Sequence, residues 1–305
     1  MKRVLLTGAT GFIGRQALPR LTANGYEVHA LSSQGARAEQ AGVQWHHADL
    51  LDPAAARSLI ERVRPTHLLH LAWYVAPGSY WTSPENFHWV EATLRLLRAF
   101  AQCGGRRVVM AGSCAEYDWK YGYCSEGVTP LAPDSVYGIC KRSLQAMLDA
   151  FSRATELSSA WGRMFFLYGP HEHPDRLVSS TICSLLKGAS PRCSEGKAVR
   201  DFLHVEDAAG AFVALLESDL GGAVNIASGQ STAIRQVISK IADRLGGHDR
   251  IEWGAKPSPA NEPAFLVGDV TRLTTEVRWT PTYDLDSGLD QTIGWWRDRL
   301  RSEPT

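Results

Sequence analysis

The segment Thr7-Gly8-Ala9-Thr10-Gly11-Phe12-Ile13-Gly14 constrains the fold more than any other part of this chain. It follows a short apolar run, Val4 to Leu6, and opens a segment of helical pattern. This is the strand-turn-helix context in which three glycines at this spacing carry meaning. Gly8 permits a tight turn, Gly11 lets main chain approach a pyrophosphate, and Gly14 allows helix and strand to pack closely. Main-chain N–H groups and the helix dipole then hold the anion, with Thr10, Phe12 and Ile13 lining the turn. Because Lys plus Arg and Asp plus Glu balance at 32 each, no overall field draws nucleic acid or an anionic surface, and any anion must be bound locally.

Further apolar runs at Glu27 to Leu31, Val43 to Trp45, His67 to Leu71 and Arg107 to Ala111 alternate with connections long enough for helices. The segment Glu85 to Cys103 repeats Phe87, Val90, Leu94, Leu97 and Ala101 at helical spacing. Ser135 to Phe151 does the same with Ile139, Leu144, Met147, Leu148 and Phe151. Strands separated by helices imply parallel pairing, so the expected class is α/β, a Rossmann doubly wound parallel sheet with a smaller C-terminal α/β lobe. The dinucleotide-binding domain is expected over 1–167, with 201–227 returning to it. The substrate lobe takes 168–200 and 228–305, where Gly, Pro and Ser rise. No apolar run approaches the roughly 20 residues that cross a bilayer, and no secretion signal is read at Met1 to Leu6, so a cytoplasmic protein without membrane partners is expected. The six cysteines show no metal-ligand spacing, and no metal site is predicted.

At the end of the second strand, where an acid would hold the ribose hydroxyls of NAD, the chain reads Leu31-Ser32-Ser33-Gln34-Gly35-Ala36-Arg37. Two hydroxyls and Arg37 suit a 2′-phosphate, which favours NADP(H) over NAD(H); Arg37 is otherwise a solvated loop charge. Asp49 and Leu50 either contact adenine or, for Asp49, cap a helix beginning near Pro53. Tyr137 and Lys141 lie four residues apart on a predicted helix and therefore share a face. An ammonium beside a phenol favours the phenolate, which lets Tyr137 exchange a proton with a substrate oxygen. Ser113, just past the strand expected at Arg107 to Ala111, stands where its hydroxyl can bond that oxygen.

These residues, with His70-Leu71-Ala72, Tyr117, Val136-Tyr137-Gly138, Arg163, Tyr168-Gly169-Pro170, Arg200-Asp201-Phe202-Leu203-His204-Val205, Asp207, Asn225-Ile226, Trp279-Thr280-Pro281 and Gly288-Leu289, resemble the extended short-chain dehydrogenases/reductases, over nearly the whole chain. That family contains epimerases, dehydratases and ketoreductases of nucleotide sugars. The resemblance implies a Ser113, Tyr137, Lys141 triad and a nucleotide-sugar substrate. Leu71 and Ala72 would lie on the cofactor; Trp73, Ser113 and Cys114 would touch the substrate; Arg200 would bind its diphosphate, or else pair with Asp201 or Asp207. It also implies a homodimer built on the helices near 85–103 and 135–151, unless both faces pack on the sheet.

Departures narrow the reaction. The Asp-Glu pair that sugar dehydratases place after the catalytic hydroxyl reads Cys114-Ala115 here, which argues against dehydration; Glu116, one place later, is either solvated or paired with an arginine. The Asn expected after Arg163-Met164-Phe165 is Phe166, and no second phosphate-binding arginine stands near Pro259 to Pro263. Trp73, Tyr74, Tyr80, Trp81, Trp119, Tyr121 and Tyr123 either stack on the substrate or pack lobe against sheet. The expected reaction is reduction of a 4-keto sugar nucleotide, with 4-epimerisation, reduction of a non-sugar carbonyl compound and turnover-free dinucleotide sensing as alternatives.

Overall fold

The structure, a computed structural model, describes residues 2–34, 41–257 and 262–302. Its strands are β1 (Arg3–Thr7), β2 (Glu27–Ser32), β3 (Val43–His47), β4 (His67–His70), β5 (Arg107–Ser113), β6 (Tyr123–Cys124), β7 (Ser158–Met164), β8 (Phe166–Tyr168), β9 (Val199–His204), β10 (Gly222–Ile226), β11 (Ser231–Ala233) and β12 (Phe265–Gly268). The helices are α1 (Gly14–Ala23), α2 (Pro53–Val63), α3 (Glu85–Gln102), α4 (Val136–Thr155), α5 (Leu177–Leu186), α6 (Val205–Glu217), α7 (Ile234–Leu245), α8 (Thr271–Thr275) and α9 (Leu285–Ser302).

Seven strands pair in the order β10-β7-β5-β4-β1-β2-β3, all parallel. The apolar runs are nearly continuous because both faces are covered. α1 and α6 bury Ala17, Leu18, Leu21, Phe212 and Leu216 against one face. α2, α3 and α4 bury Leu59, Ile60, Leu97, Phe100, Leu144 and Leu148 against the other. The order reverses between β1 and β4, so the carboxyl ends of those strands open the crevice where doubly wound sheets bind ligands. Local chemistry starts the helices: Asp52 accepts from the N–H groups of Ala54 and Ala55 ahead of α2, and the Ser135 hydroxyl accepts from Gly138 N at the start of α4. The cap of α2 is thus Asp52, not Asp49, whose carboxylate accepts from Leu51 N instead.

A smaller sheet, β11-β9-β12-β6 with β8 beside β9, lies with α5, α7 and α9 around a separate core that includes Ile182, Ile241, Leu289 and Trp296. β9 belongs to this sheet, so the return to the large sheet begins with α6 rather than at residue 201. The inner face of α3 also differs from the expected one: Phe87 is 58% exposed, whereas Asn86 and Thr93 are buried. Polar residues with partners rotate the buried face, because Thr93 bonds the ring of His70, and Asn86 joins Trp73 Nε1 to the carbonyls of Tyr80 and Ser83. Ile139, expected on the inner face of α4, is 47% exposed.

Candidate active site

The glycine turn is built as its spacing predicts, with one addition. Gly8 has φ +68°, and a Cβ there would stand 2.8 Å from Ala72 N, so β1 and β4 approach at their carboxyl ends through a glycine. A Cβ on Gly14 would collide with the Gly8 carbonyl and stand 2.8 Å from the Ala9 Cα. Gly11 is exposed at the amino end of α1, and no side chain caps that helix. The turn therefore fits a pyrophosphate held by main-chain N–H groups. Thr7 supports it from below: its hydroxyl bonds His70 Nδ1 at 2.8 Å and accepts from Ala72 N, which fixes the half-buried Leu71 and Ala72 beside the turn. At the end of β2, Ser32 is buried with its hydroxyl accepting from Gln34 N, and Ser33 is exposed. Asp49 is exposed and Leu50 buried beyond β3. Arg37 lies outside the described residues.

Ser113 ends β5, and its hydroxyl is within hydrogen-bonding reach of the Tyr137 phenol on α4. Burial pushes the Tyr137 pKa well above the usual phenol range, and the Ser113 hydrogen bond opposes that rise. Tyr137 is 5% exposed because Tyr80 and Trp81 stand edge-on to its ring, with centroids 5.0 and 5.6 Å away, while Trp119 backs Trp81. Of the expected aromatic group, Trp73, Tyr74, Tyr80, Trp81 and Trp119 cluster with Tyr137, but Tyr121 and Tyr123 are exposed. Asn86, which the sequence pattern did not reveal, pins this covering loop.

Lys141 shares the Tyr137 face of α4, as expected, and its ammonium lies 5.9 Å from the Tyr137 ring centroid. Nζ donates to the Ala111 carbonyl at 2.8 Å and lies 3.6 Å from the Trp73 ring centroid. Burial lowers its pKa to about 7, with the Glu116 carboxylate acting in the opposite sense. The buried amine thus stands beside the phenol with its charge reduced. A stability prediction follows. Below pH 7 both folded and unfolded chains carry the Lys141 charge, and burial costs most; towards pH 10 the unfolded chain loses it too, and the cost fades. Lys141→Met should therefore raise stability by about 1–4 kcal/mol near pH 6, with a smaller gain at pH 9, while abolishing turnover. Thermal unfolding of both proteins at the two pH values, with an activity assay, checks this.

Arg200 is not open to the crevice. Its side chain is 4% exposed; Nη2 donates to Glu262 Oε1 at 2.9 Å, and Nη1 donates to the carbonyls of Val199 and Pro263. Neither Asp201 nor Asp207 is its partner. Asp201 accepts from Ser228, Gly229 N and Gly268 N, and Asp207 from Thr282 N and Tyr283 N. Cys114 is buried, and burial pushes its thiol up, away from the thiolate. Glu116 is buried and paired with Arg163. Among the described residues, no cluster of His, Cys, Asp and Glu is arranged to hold a metal, and no helix is long and apolar enough to cross a membrane.

With this geometry in hand, comparison with known proteins is informative. The family model described as "NAD dependent epimerase/dehydratase family" matches residues 4–227. UDP-glucose 4-epimerase of Mycolicibacterium smegmatis is 27% identical, covering 97% of this chain and 99% of that protein. A Streptomyces 3-diazoavenalumate denitrifying reductase is 28% identical, over 99% of this chain and 100% of the relative. The solved structure of MoeE5 in complex with UDP-glucose and NAD is 30% identical, with a TM-score of 0.85 and coverage of 98% and 99% of the two chains. The chain belongs to the NAD dependent epimerase/dehydratase family, extended short-chain dehydrogenases/reductases that use a nicotinamide dinucleotide to modify nucleotide sugars.

Proposed function

We propose that this protein reduces the 4-keto group of a deoxysugar carried on a nucleoside diphosphate, with NADP(H) as the redox partner. The observation that carries the reading is a buried Tyr137 phenol, kept protonated at neutral pH, within reach of Ser113 at the carboxyl edge of the sheet and beside the glycine turn. A phenol in this state is a proton donor, which suits reduction.

When bound, the nicotinamide supplies the hydride to the ketone carbon. Tyr137 gives its proton to the ketone oxygen, which becomes the product hydroxyl. Ser113 bonds that same oxygen and holds it in line with the phenol. Lys141 would bond the nicotinamide ribose and tune Tyr137. Gly8, Thr10, Gly11, Phe12, Ile13 and Gly14 would hold the pyrophosphate, with Leu71, Ala72, Asp49 and Leu50 as further residues for the cofactor. Ser32, Ser33 and Arg37, with no carboxylate at the end of β2, support a 2′-phosphate and hence NADP(H) over NAD(H). Trp73, Ser113 and Cys114 border the sugar. The exposed Phe87 on α3 and Ile139 on α4 support a homodimer through those helices.

A second reading, reduction of a carbonyl compound without a diphosphate, is favoured by one observation: Arg200 is already neutralised by Glu262. One assay separates the readings. With NADPH and a 4-keto-6-deoxy sugar nucleotide, NADPH is expected to be consumed stoichiometrically with the new hydroxyl. No NADPH consumption, together with redox-neutral interconversion of a 4-hydroxyl sugar nucleotide, would make the protein an epimerase. Consumption only with an aryl ketone would establish the second reading.

A further inference from the structure

Ser113 closes β5 and immediately enters a short 3₁₀ turn, Cys114–Glu116, in a reciprocal arrangement: the Ser113 hydroxyl accepts from Ala115 N, and Glu116 Oε1 accepts from Ser113 N at 2.8 Å. Such pairs usually cap exposed turns, where water solvates the carboxylate. Here Glu116 is 0% exposed. Its remaining acceptor capacity is met by Trp161 Nε1 at 2.9 Å and by Arg163 Nε at 2.7 Å, the Arg163 side chain being 2% exposed. Arg163 continues the chain, donating to the Tyr117 hydroxyl and, through Nη2, to Gln145 Oε1 on α4 at 3.3 Å. The Tyr117 hydroxyl in turn donates to Asn225 Oδ1.

Burying an ion pair this deeply adds little net stability compared with apolar side chains of the same volume. What it does add is geometry. Ser113 sits on a strand end, Tyr137 and Lys141 sit on α4, and the chain Glu116–Arg163–Gln145 runs between those two elements. The fit is close, since a Cβ on Gly112 would collide with Trp161 Nε1 and stand 2.7 Å from Glu116 Oε1.

We infer that Glu116 is a positioning residue for the Ser113 hydroxyl, anchoring the Ser113 main chain by accepting from its N–H. The inference rests on the reading of Ser113 as a substrate-oxygen ligand. The test compares Glu116→Gln/Arg163→Met with Glu116→Met/Arg163→Met. Both remove the ion pair and keep the volume; only the first keeps an acceptor for Ser113 N. The Gln variant is expected to hold kcat within about threefold, and the Met variant to lose about 10- to 100-fold in kcat with substrate KM and NADPH affinity unchanged. Glu116→Asp, which keeps the charge but withdraws the carboxylate from Ser113 N, is expected to show the same kcat loss, should the double Met variant fail to fold. Equal kcat in the Gln and Met variants, or full kcat in Glu116→Asp, would overturn the inference. Ser113→Ala is run alongside: if it leaves kcat unchanged, the role of Ser113 itself fails, an outcome distinct from failure of Glu116 alone.

Discussion

Tyr137→Phe is expected to lower kcat by about 100- to 10,000-fold while leaving NADPH affinity within a small factor of wild type. The substitution removes one hydroxyl and keeps the ring that packs against Tyr80 and Trp81, so the loop covering the site stays in place. It also removes a buried hydroxyl whose side-chain hydrogen bond is to Ser113, so the loss of stability should be small. The physical point is the protonation state. Because burial raises the phenol, Tyr137 is expected to keep its proton from pH 6 to 10, so any fall in rate across that range reports loss of the Lys141 charge, whose pKa is lowered to about 7, and not the phenol. Steady-state kinetics from pH 6 to 10, with fluorescence titration of NADPH, checks both parts. Unimpaired turnover in the Phe variant would show that some other group delivers the proton.

Gly14→Ala should have the largest effect on the cofactor. A methyl group there meets the Gly8 carbonyl and the Ala9 Cα, neither of which can move without displacing β1 or its contact with Ala72. Overpacking of this kind costs about 1–3 kcal/mol, and the displaced turn no longer directs its N–H groups at one point. The expected result is a lower thermal midpoint together with loss of measurable NADPH binding. Gly11→Ala is the control: Gly11 is exposed, and its Cβ would stand 3.0 Å from the Gly8 carbonyl, so the fold should tolerate it and affinity alone should fall. Equal NADPH affinity in wild type and Gly14→Ala would mean that the pyrophosphate is held elsewhere.

Much of the architecture was legible in the chain because it depends on local pattern. Apolar runs of four to seven residues separated by helical segments can satisfy their main chains only as parallel strands with covered faces, and the sheet follows. The glycine turn and the Tyr137–Lys141 spacing were legible for the same reason, since each is a relation among near neighbours. The buried face of α3 was not, because Thr93 and Asn86 are polar, and their burial is made tolerable by His70 and Trp73, residues of another element.

The amino-acid sequence by itself determined the doubly wound class, the place of the glycine turn and the one-face spacing of Tyr137 and Lys141. Tertiary structure alone decided their charge states and pairings. It bonded Lys141 to Ala111 and set it against Trp73 beside the phenol, closed Arg200 onto Glu262, and sealed Glu116 behind Ser113. The reason is that ionisation and pairing depend on which distant groups share a buried space and on how far water is kept from them, and neither quantity is encoded in the spacing of residues along the chain.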